Sequence, residues 1–142
     1  MIPDVNLLLY AYDSTSVHHR AAAAWWTACL NGAEPVGIPR VVLFGFVRLA
    51  TSARVFAAPM SIDEAAACGL AWLERPHVVD LDGGPQHPQR ALKLLKDAGT
   101  AGNLVTDAQI AAIAVEQRAT LCSNDADFAR FPGLTVENPL RS

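Results

Sequence analysis

Residues 106–125 read TDAQIAAIAVEQRATLCSND, and the order of features in this stretch decides the fold. Thr106-Asp107-Ala108-Gln109 has capping-box spacing, in which a Thr hydroxyl accepts from the backbone three residues on and a Gln side chain reaches back. That spacing predicts a helix over AQIAAIAVEQR, rich in strong helix formers. The next run, Ala119 to Ser123, is short and apolar, as a buried strand should be, and Asp125 follows it directly. A helix feeding an interior strand is half of a crossover unit, so the strands are expected to run parallel with helices on both faces.

The alternation extends outward from this stretch. Downstream, Asp125 to Phe131 allows at most two helical turns before Pro132-Gly133, and Leu134 to Glu137 is the last strand candidate. Upstream, His77 to Leu81 reads as a strand and Pro88 to Ala98 as an amphipathic helix stopped by Gly99. Ser61-Ile62-Asp63-Glu64 is a further capping box, opening a helix through Ala65, Leu70 and Trp72 to Glu74. Pro35 to Pro39 is extended, and Arg40 to Thr51 (RVVLFGFVRLAT) is apolar almost all round, which predicts a helix buried on most faces. Gly45 in its middle costs about 1 kcal/mol against Ala and calls for a reason. Ser16 is expected to cap an Ala-rich helix, VHHRAAAAWWTACLNG, that stops at Asn31-Gly32. Met1 to Asp4 is an entering strand, and Leu7 to Tyr12 either extends it or turns at Asn6 into a short helix, a choice that periodicity leaves open. The result is one α/β domain over residues 1–142, with a central parallel sheet covered on both sides.

A hydrophobic fraction of 51% over 142 residues excludes a disordered tail or linker. Fourteen Asp+Glu against eleven Lys+Arg argue against a strongly basic nucleic-acid binder of the simplest kind. If three carboxylates share one divalent cation, removing three from fourteen leaves eleven, and the outer surface is neutral. Cys29, Cys68 and Cys122 are far apart without a CxxC pairing, so neither a disulfide framework nor a zinc site is expected. The opening MIPDVNLLLYAYD has no basic leader and its apolar run is too short to span a bilayer, which predicts a cytoplasmic protein with no membrane partner.

In an open parallel sheet the ligand site forms beyond the carboxyl ends of the strands, so acids at strand exits come first. Asp4 stands among Ile2, Val5 and Leu7 in the entering strand, Asp107 at a helix opening, and Asp125 directly after a strand, with Asp127 two residues on. A carboxylate in apolar surroundings is costly to desolvate unless a positive group meets it. Several such groups meeting in one pocket would repel one another, and a hard divalent cation such as Mg²⁺ or Mn²⁺ resolves the repulsion. Such a site can activate water and stabilise charge on a phosphoryl oxygen, the basis of metal-assisted phosphodiester cleavage. Each acid also has a structural reading: Asp107 complements the helix dipole, and Asp125 or Asp127 caps a short helix.

Together the segments Ile2-Pro3-Asp4-Val5-Asn6-Leu7-Leu8, Phe46-Val47-Arg48-Leu49-Ala50-Thr51, Thr106-Asp107-Ala108 and Ser123-Asn124-Asp125-Ala126-Asp127-Phe128 resemble the PIN-domain ribonucleases, and more closely the VapC-type toxins of bacterial toxin–antitoxin pairs. The resemblance spans the chain and implies a three-layer α/β/α fold. It implies that Asp4, Asp107 and Asp125 are catalytic and bind Mg²⁺ or Mn²⁺, with Asp127 a further ligand. Asn6, Thr106 and Ser123 would orient ligands or waters, and Arg48 would face the site and touch substrate. A homodimer that cleaves RNA is implied, often a structured or transfer RNA, leaving a 5′-phosphate and a 3′-hydroxyl. The implied partner is a VapB-type antitoxin whose C-terminal segment lies across the groove. Two positions depart from the pattern. The family usually has Glu where this chain has Gly45, and Glu34 from the preceding loop is a candidate substitute. An aliphatic residue is usual where this chain has Pro3, so the strand is expected to begin only there.

Other features carry competing readings. Arg90, Lys93 and Lys96 recur on one helix face, either as phosphate contacts or as a solvated face. His18 and His19 lack partners at zinc-ligand spacing and read as helix packing, and His77 and His87 as incidental. Trp25, Trp26 and Trp72 read as core or dimer contacts. Arg48 has a buried ion pair as its alternative. Two alternative functions are a PIN-like module that binds RNA or an antitoxin without cleaving, and a receiver-like domain with Asp80 as phosphoacceptor.

Overall fold

A computed structural model describes residues 1–141; Ser142, included in the expected domain, lies outside them. In chain order the elements are β1 (Ile2–Pro3), α1 (Val5–Tyr12), α2 (His19–Asn31), β2 (Val36–Pro39), α3 (Arg40–Ala50), α4 (Ile62–Leu73), β3 (Val78–Leu81), α5 (His87–Ala98), α6 (Leu104–Gln117), β4 (Leu121–Cys122) and β5 (Val136–Glu137), with a 3-10 helix at Ala126–Arg130. Every strand pair is parallel: β1 lies beside β4 and β4 beside β5, while β2 pairs with β3. The α/β class with a parallel sheet is therefore as expected.

Two prolines split the sheet. Between β1 and β2 the Met1 ammonium donates to Pro35 O and Gly37 N donates to Met1 O, each at 2.9 Å. The ladder would next need N–H groups at positions 3 and 39, and both residues are proline, which has none. On the other side of β1 the bonds continue, Ile2 N to Thr120 O and Asp4 N to Cys122 O. Pro3 thus closes β1, which starts at Ile2, rather than opening it. It is tolerated in an interior strand because its nitrogen faces the interrupted seam.

Leu7 to Tyr12 resolves as helix: Asp4 is the extended residue before α1, which starts at Val5 and buries Val5, Leu7, Leu8 and Leu9. Two helix starts differ from the sequence reading. At α2, Ser16 Oγ accepts from His18 N in a turn, and the helix opens at His19, where Nδ1 lies 2.9 Å from Tyr10 O and the His18 ring meets Tyr10. Contacts with α1, which local capping rules do not contain, set this boundary. Its end at Asn31 is as read, although Gly32 is extended rather than left-handed. At α6, Thr106 lies inside the first turn of a helix that begins at Leu104, so it caps nothing. Burial of Leu104 and the turn at Ala101-Gly102 draw the start forward, and Gln109 bonds to Val105 O instead of reaching back to Thr106.

The Ser61 box forms as expected, with Ser61 Oγ accepting from Glu64 N and Glu64 Oε1 from Ser61 N, both at 3.1 Å. Gly99 ends α5 in the left-handed conformation at φ 76°, which suits its lack of a Cβ. α3 is covered on most faces, as expected: Val42, Phe46 and Ala50 are buried, Val41, Leu43, Val47 and Leu49 pack partly against the core, and Arg40, Phe44 and Arg48 form the exposed stripe. Phe46 packs with Trp72 and Tyr12, Trp72 meets Trp26 edge-on, and Trp72 Nε1 donates to Tyr12 Oη at 3.0 Å. Trp26 and Trp72 are therefore core. Among the described residues, no helix is long and apolar enough to cross a membrane.

Candidate active site

Parallel strands bring their carboxyl ends to one edge, and the acids gather there. Asp4 leaves β1, Ser123 leaves β4, and the register Pro3 to Cys122 sets these exits side by side. α6 runs into β4, so its first turn, carrying Asp107, lies over the same edge. Asp107, Asp125 and Asp127 each place a carboxylate oxygen within 4.8 Å of the other two. Asp4 stands outside that group and is 4% exposed, with Ser123 Oγ donating to its Oδ2 at 2.8 Å. Ser123, also buried, accepts from Asp125 N at 2.9 Å, so one hydroxyl ties the two strand exits together. Asp125 Oδ1 accepts from Asp127 N at 2.9 Å, so its helix-capping reading also holds.

The electrostatics are those of crowded anions. Burial pushes the Asp4 carboxyl up to about 6; bonds from Ser123 and the backbone N–H groups of Val5 and Asn6 oppose the rise, and the Asp125 charge adds to it. Asp107 is pushed up to about 7 by burial and then by the charges of Asp4, Asp125 and Asp127. Among the described residues, the one basic side chain paired with any of these acids is Arg130, 4.0 Å from Asp127. The carboxylate oxygens of Asp4, Asp107 and Asp125, which no basic side chain pairs among the described residues, fit a hard divalent ion, Mg²⁺ or Mn²⁺, better than a soft one. The predicted carboxylates therefore fall at one place.

Asp4 and Asp107 share a cleft of about 400 Å³ with Asn6, Thr106, Arg48 and Phe44. Among the described residues Arg48 has no ion pair and is exposed, which removes its buried-pair alternative. Gly45 lies on the cleft wall, where a Cβ would approach Val5 Cγ2 to 3.3 Å. A separate hollow of about 250 Å³ is lined by Asp125, Asn124, Asn138 and Arg141.

Glu34 precedes β2 while Asp4 follows the parallel β1, so Glu34 lies at the opposite end of the sheet, beside Met1 and Arg118, and is no substitute ligand. Arg90 pairs with Glu116 at 2.7 Å and Lys93 with Asp97 at 3.0 Å, so two of the three cations of this solvated stripe are neutralised, and among the described residues exposed Lys96 has no ion pair. Asp80 sits on β3 in a two-toothed pair with Arg40, which holds its carboxyl below the usual range and leaves no receiver-like acceptor. His77 Nε2 meets Cys29 O at 2.9 Å, a structural contact. Sequence reading passed over Phe44. The signal was present: Arg40, Phe44 and Arg48 recur at i, i+4 and i+8 on a stripe distinct from Val42, Phe46 and Ala50.

Comparison with known proteins identifies the family of the chain. The PIN domain family matches residues 1–134. The chain is 48% identical to "Ribonuclease VapC33" of Mycobacterium tuberculosis over 141 residues, covering 99% of each chain. It is 41% identical to "Ribonuclease VapC37" of the same organism, covering 97% of this chain and 96% of that one. Among solved structures, Mycobacterium tuberculosis VapC20, titled a sarcin–ricin loop cleaving toxin, superposes with a TM-score of 0.70 at 16% identity, covering 94% and 98% of the two chains. VapBC2 from Rickettsia felis, solved on a promoter DNA fragment, gives 0.66 at 21% identity with 96% of both chains covered. With the family matched over nearly its whole length and relatives this similar from end to end, the chain belongs to the PIN-domain family, among its VapC-type members.

Proposed function

We propose that this chain is the toxin of a type II toxin–antitoxin pair, a single-domain Mg²⁺- or Mn²⁺-dependent endoribonuclease whose cleavage of RNA inhibits translation and growth. The observation that carries the reading is the meeting of three carboxylates, Asp107, Asp125 and Asp127, beside the buried Asp4. The names of the relatives support RNA as substrate. Asp4, Asp107, Asp125 and Asp127 would hold the cation. When bound, it supplies charge neutralisation and water activation at the scissile phosphate. Ser123 fixes the Asp4 carboxylate and the Asp125 backbone, which preorganises the acids. Asn6 and Thr106 flank the cleft and orient ligands or waters, and Arg48 holds a substrate phosphate.

A VapB-type antitoxin is the proposed partner, supported by solved relatives titled VapBC complexes, and a homodimer is the proposed assembly in the cytoplasm. Gly45, standing where the family usually has Glu, favours a second reading, a module that binds without cleaving. RNA cleavage in Mg²⁺ or Mn²⁺, comparing the wild type with Asp4→Asn, separates the two. A loss of at least about 100-fold in Asp4→Asn is expected, as removal of a group essential to transition-state charge stabilisation causes. Equal cleavage by both proteins would remove the catalytic assignment.

A further inference from the structure

Next to the carboxylates, one large aromatic side chain has no aromatic partner among the described residues. Phe44, in mid-α3, is 65% exposed and lines the cleft that holds Asp4, Asp107 and Arg48. The other phenylalanines of α3 and the C-terminal segment, Phe46, Phe128 and Phe131, are buried and pair with other rings. A single exposed apolar residue is ordinary, so exposure by itself decides nothing. Its placement does. Phe44 and Arg48 stand one helical turn apart on one face, roughly 5–6 Å between Cβ atoms. Between them the cleft wall is Gly45, which has no side chain, and even a methyl there would crowd Val5. A ring, a guanidinium without an ion-pair partner and bare backbone between them open together onto the carboxylates. Val5, Val41 and Leu49 also line the cleft, but an apolar peptide anchor seated on Phe44 would lie beside Arg48, Asp4 and Asp107, whose charges it could not satisfy. A nucleotide finds a surface for its base and a cation for its phosphate.

We infer that Phe44 is the stacking platform for one unpaired base of the RNA, beside the phosphate presented to the carboxylates, with Arg48 on that nucleotide's backbone. The inference rests on the ribonuclease reading and narrows its substrate to a single-stranded segment or loop. A base in a duplex is stacked on its neighbours and cannot also lie on Phe44. Because every base has a π face, Phe44 fixes position on the strand and favours the stronger-stacking purines only modestly.

The test uses single-stranded RNA oligonucleotides carrying 2-aminopurine at one position at a time, bound in Ca²⁺, an oxygen-seeking cation of the same charge. The expected result is fluorescence quenching at one position with the wild type, retained by Phe44→Trp and lost in Phe44→Ala and Phe44→Leu. Affinity should fall about five- to 150-fold in Phe44→Ala, the range that base–aromatic stacking commands. Annealing the complementary strand stacks and quenches the probe by itself, and adding the protein should then cause no further change in fluorescence. Phe44 is exposed, so thermal unfolding of the variants should match the wild type and show them folded. Equal quenching in wild type and Phe44→Ala, or Phe44-dependent binding of the duplex, overturns the inference. Quenching at no position also overturns it and leaves Phe44 as an anchor for a protein partner. Cleavage in Mn²⁺ is scored separately: quenching without cleavage removes the ribonuclease reading alone, and cleavage indifferent to Phe44 removes the stacking role alone.

Discussion

At Asp107 two unfavourable effects coincide, partial burial and three like charges, and both act on the charged form. Without a cation, Asp107→Asn should therefore stabilise the protein at pH 7.5 by on the order of 1 kcal/mol, after allowing for screening at this half-buried site. The same substitution should abolish cleavage. Chemical denaturation in EDTA and an RNA assay in Mn²⁺ measure the two effects, and a destabilised Asp107→Asn would show that the carboxylate has a structural partner. Gly45→Glu adds a carboxylate to the wall of the same cleft. Mn²⁺ should bind this variant more tightly by calorimetry, while its metal-free form becomes less stable as mutual repulsion grows. At this scale the acids were legible because charged groups beside apolar strands are rare, whereas Phe44 was lost inside a run of hydrophobic letters.

Among the elements, those bounded by local chemistry follow the sequence closely. The Ser61 box and the left-handed Gly99 stop use groups within a few residues of each other, so capping rules locate α4 and the end of α5. Ser61→Ala should cost about 1 kcal/mol in urea unfolding and leave cleavage unchanged, because α4 contributes no carboxylate to the site. The starts of α2 and α6 answer to partners elsewhere in the chain, Tyr10 for one and the buried Leu104 for the other. Prolines at positions 3 and 39 meet across the β1–β2 seam, a fact about pairing that neither strand reveals alone. Pro3→Val should supply a new amide at that seam, and hydrogen exchange should find it protected; rapid exchange there would show the strands too far apart to bond.

For the whole molecule, pH and metal act on one set of groups. The folded state holds Asp4 and Asp107 protons up to about 6 and 7, while the unfolded chain releases them near the ordinary value of 3.8. The folded state thus binds more protons between these values, so the contribution of this pair is fully present below about pH 3.8 and lost as pH rises through 6 and 7. Metal-free protein should show a melting temperature that this pair pulls downward over that window. Mn²⁺ favours the charged carboxylates, so it should flatten the decline and raise the melting temperature at pH 7.5, adding about 2.7 kcal/mol of stability at a hundredfold excess over its dissociation constant. EDTA should reverse the gain, and cleavage should climb through the same pH window to a plateau. A melting temperature indifferent to Mn²⁺ would mean that the acids hold no cation.

The amino-acid order alone determined the alternation of helices and strands, the parallel sheet and the identity of the four acids, because hydrophobic period, caps and carboxylates next to strands are local properties of the chain. Only the tertiary structure decided how those acids are grouped, with Asp107, Asp125 and Asp127 together and Asp4 set back on Ser123. It alone excluded Glu34, neutralised Arg90 and Lys93, and brought Phe44 to the cleft. These are distances between residues remote in the chain, fixed by strand register and by which stripe of each helix is buried, and no window of sequence contains both partners.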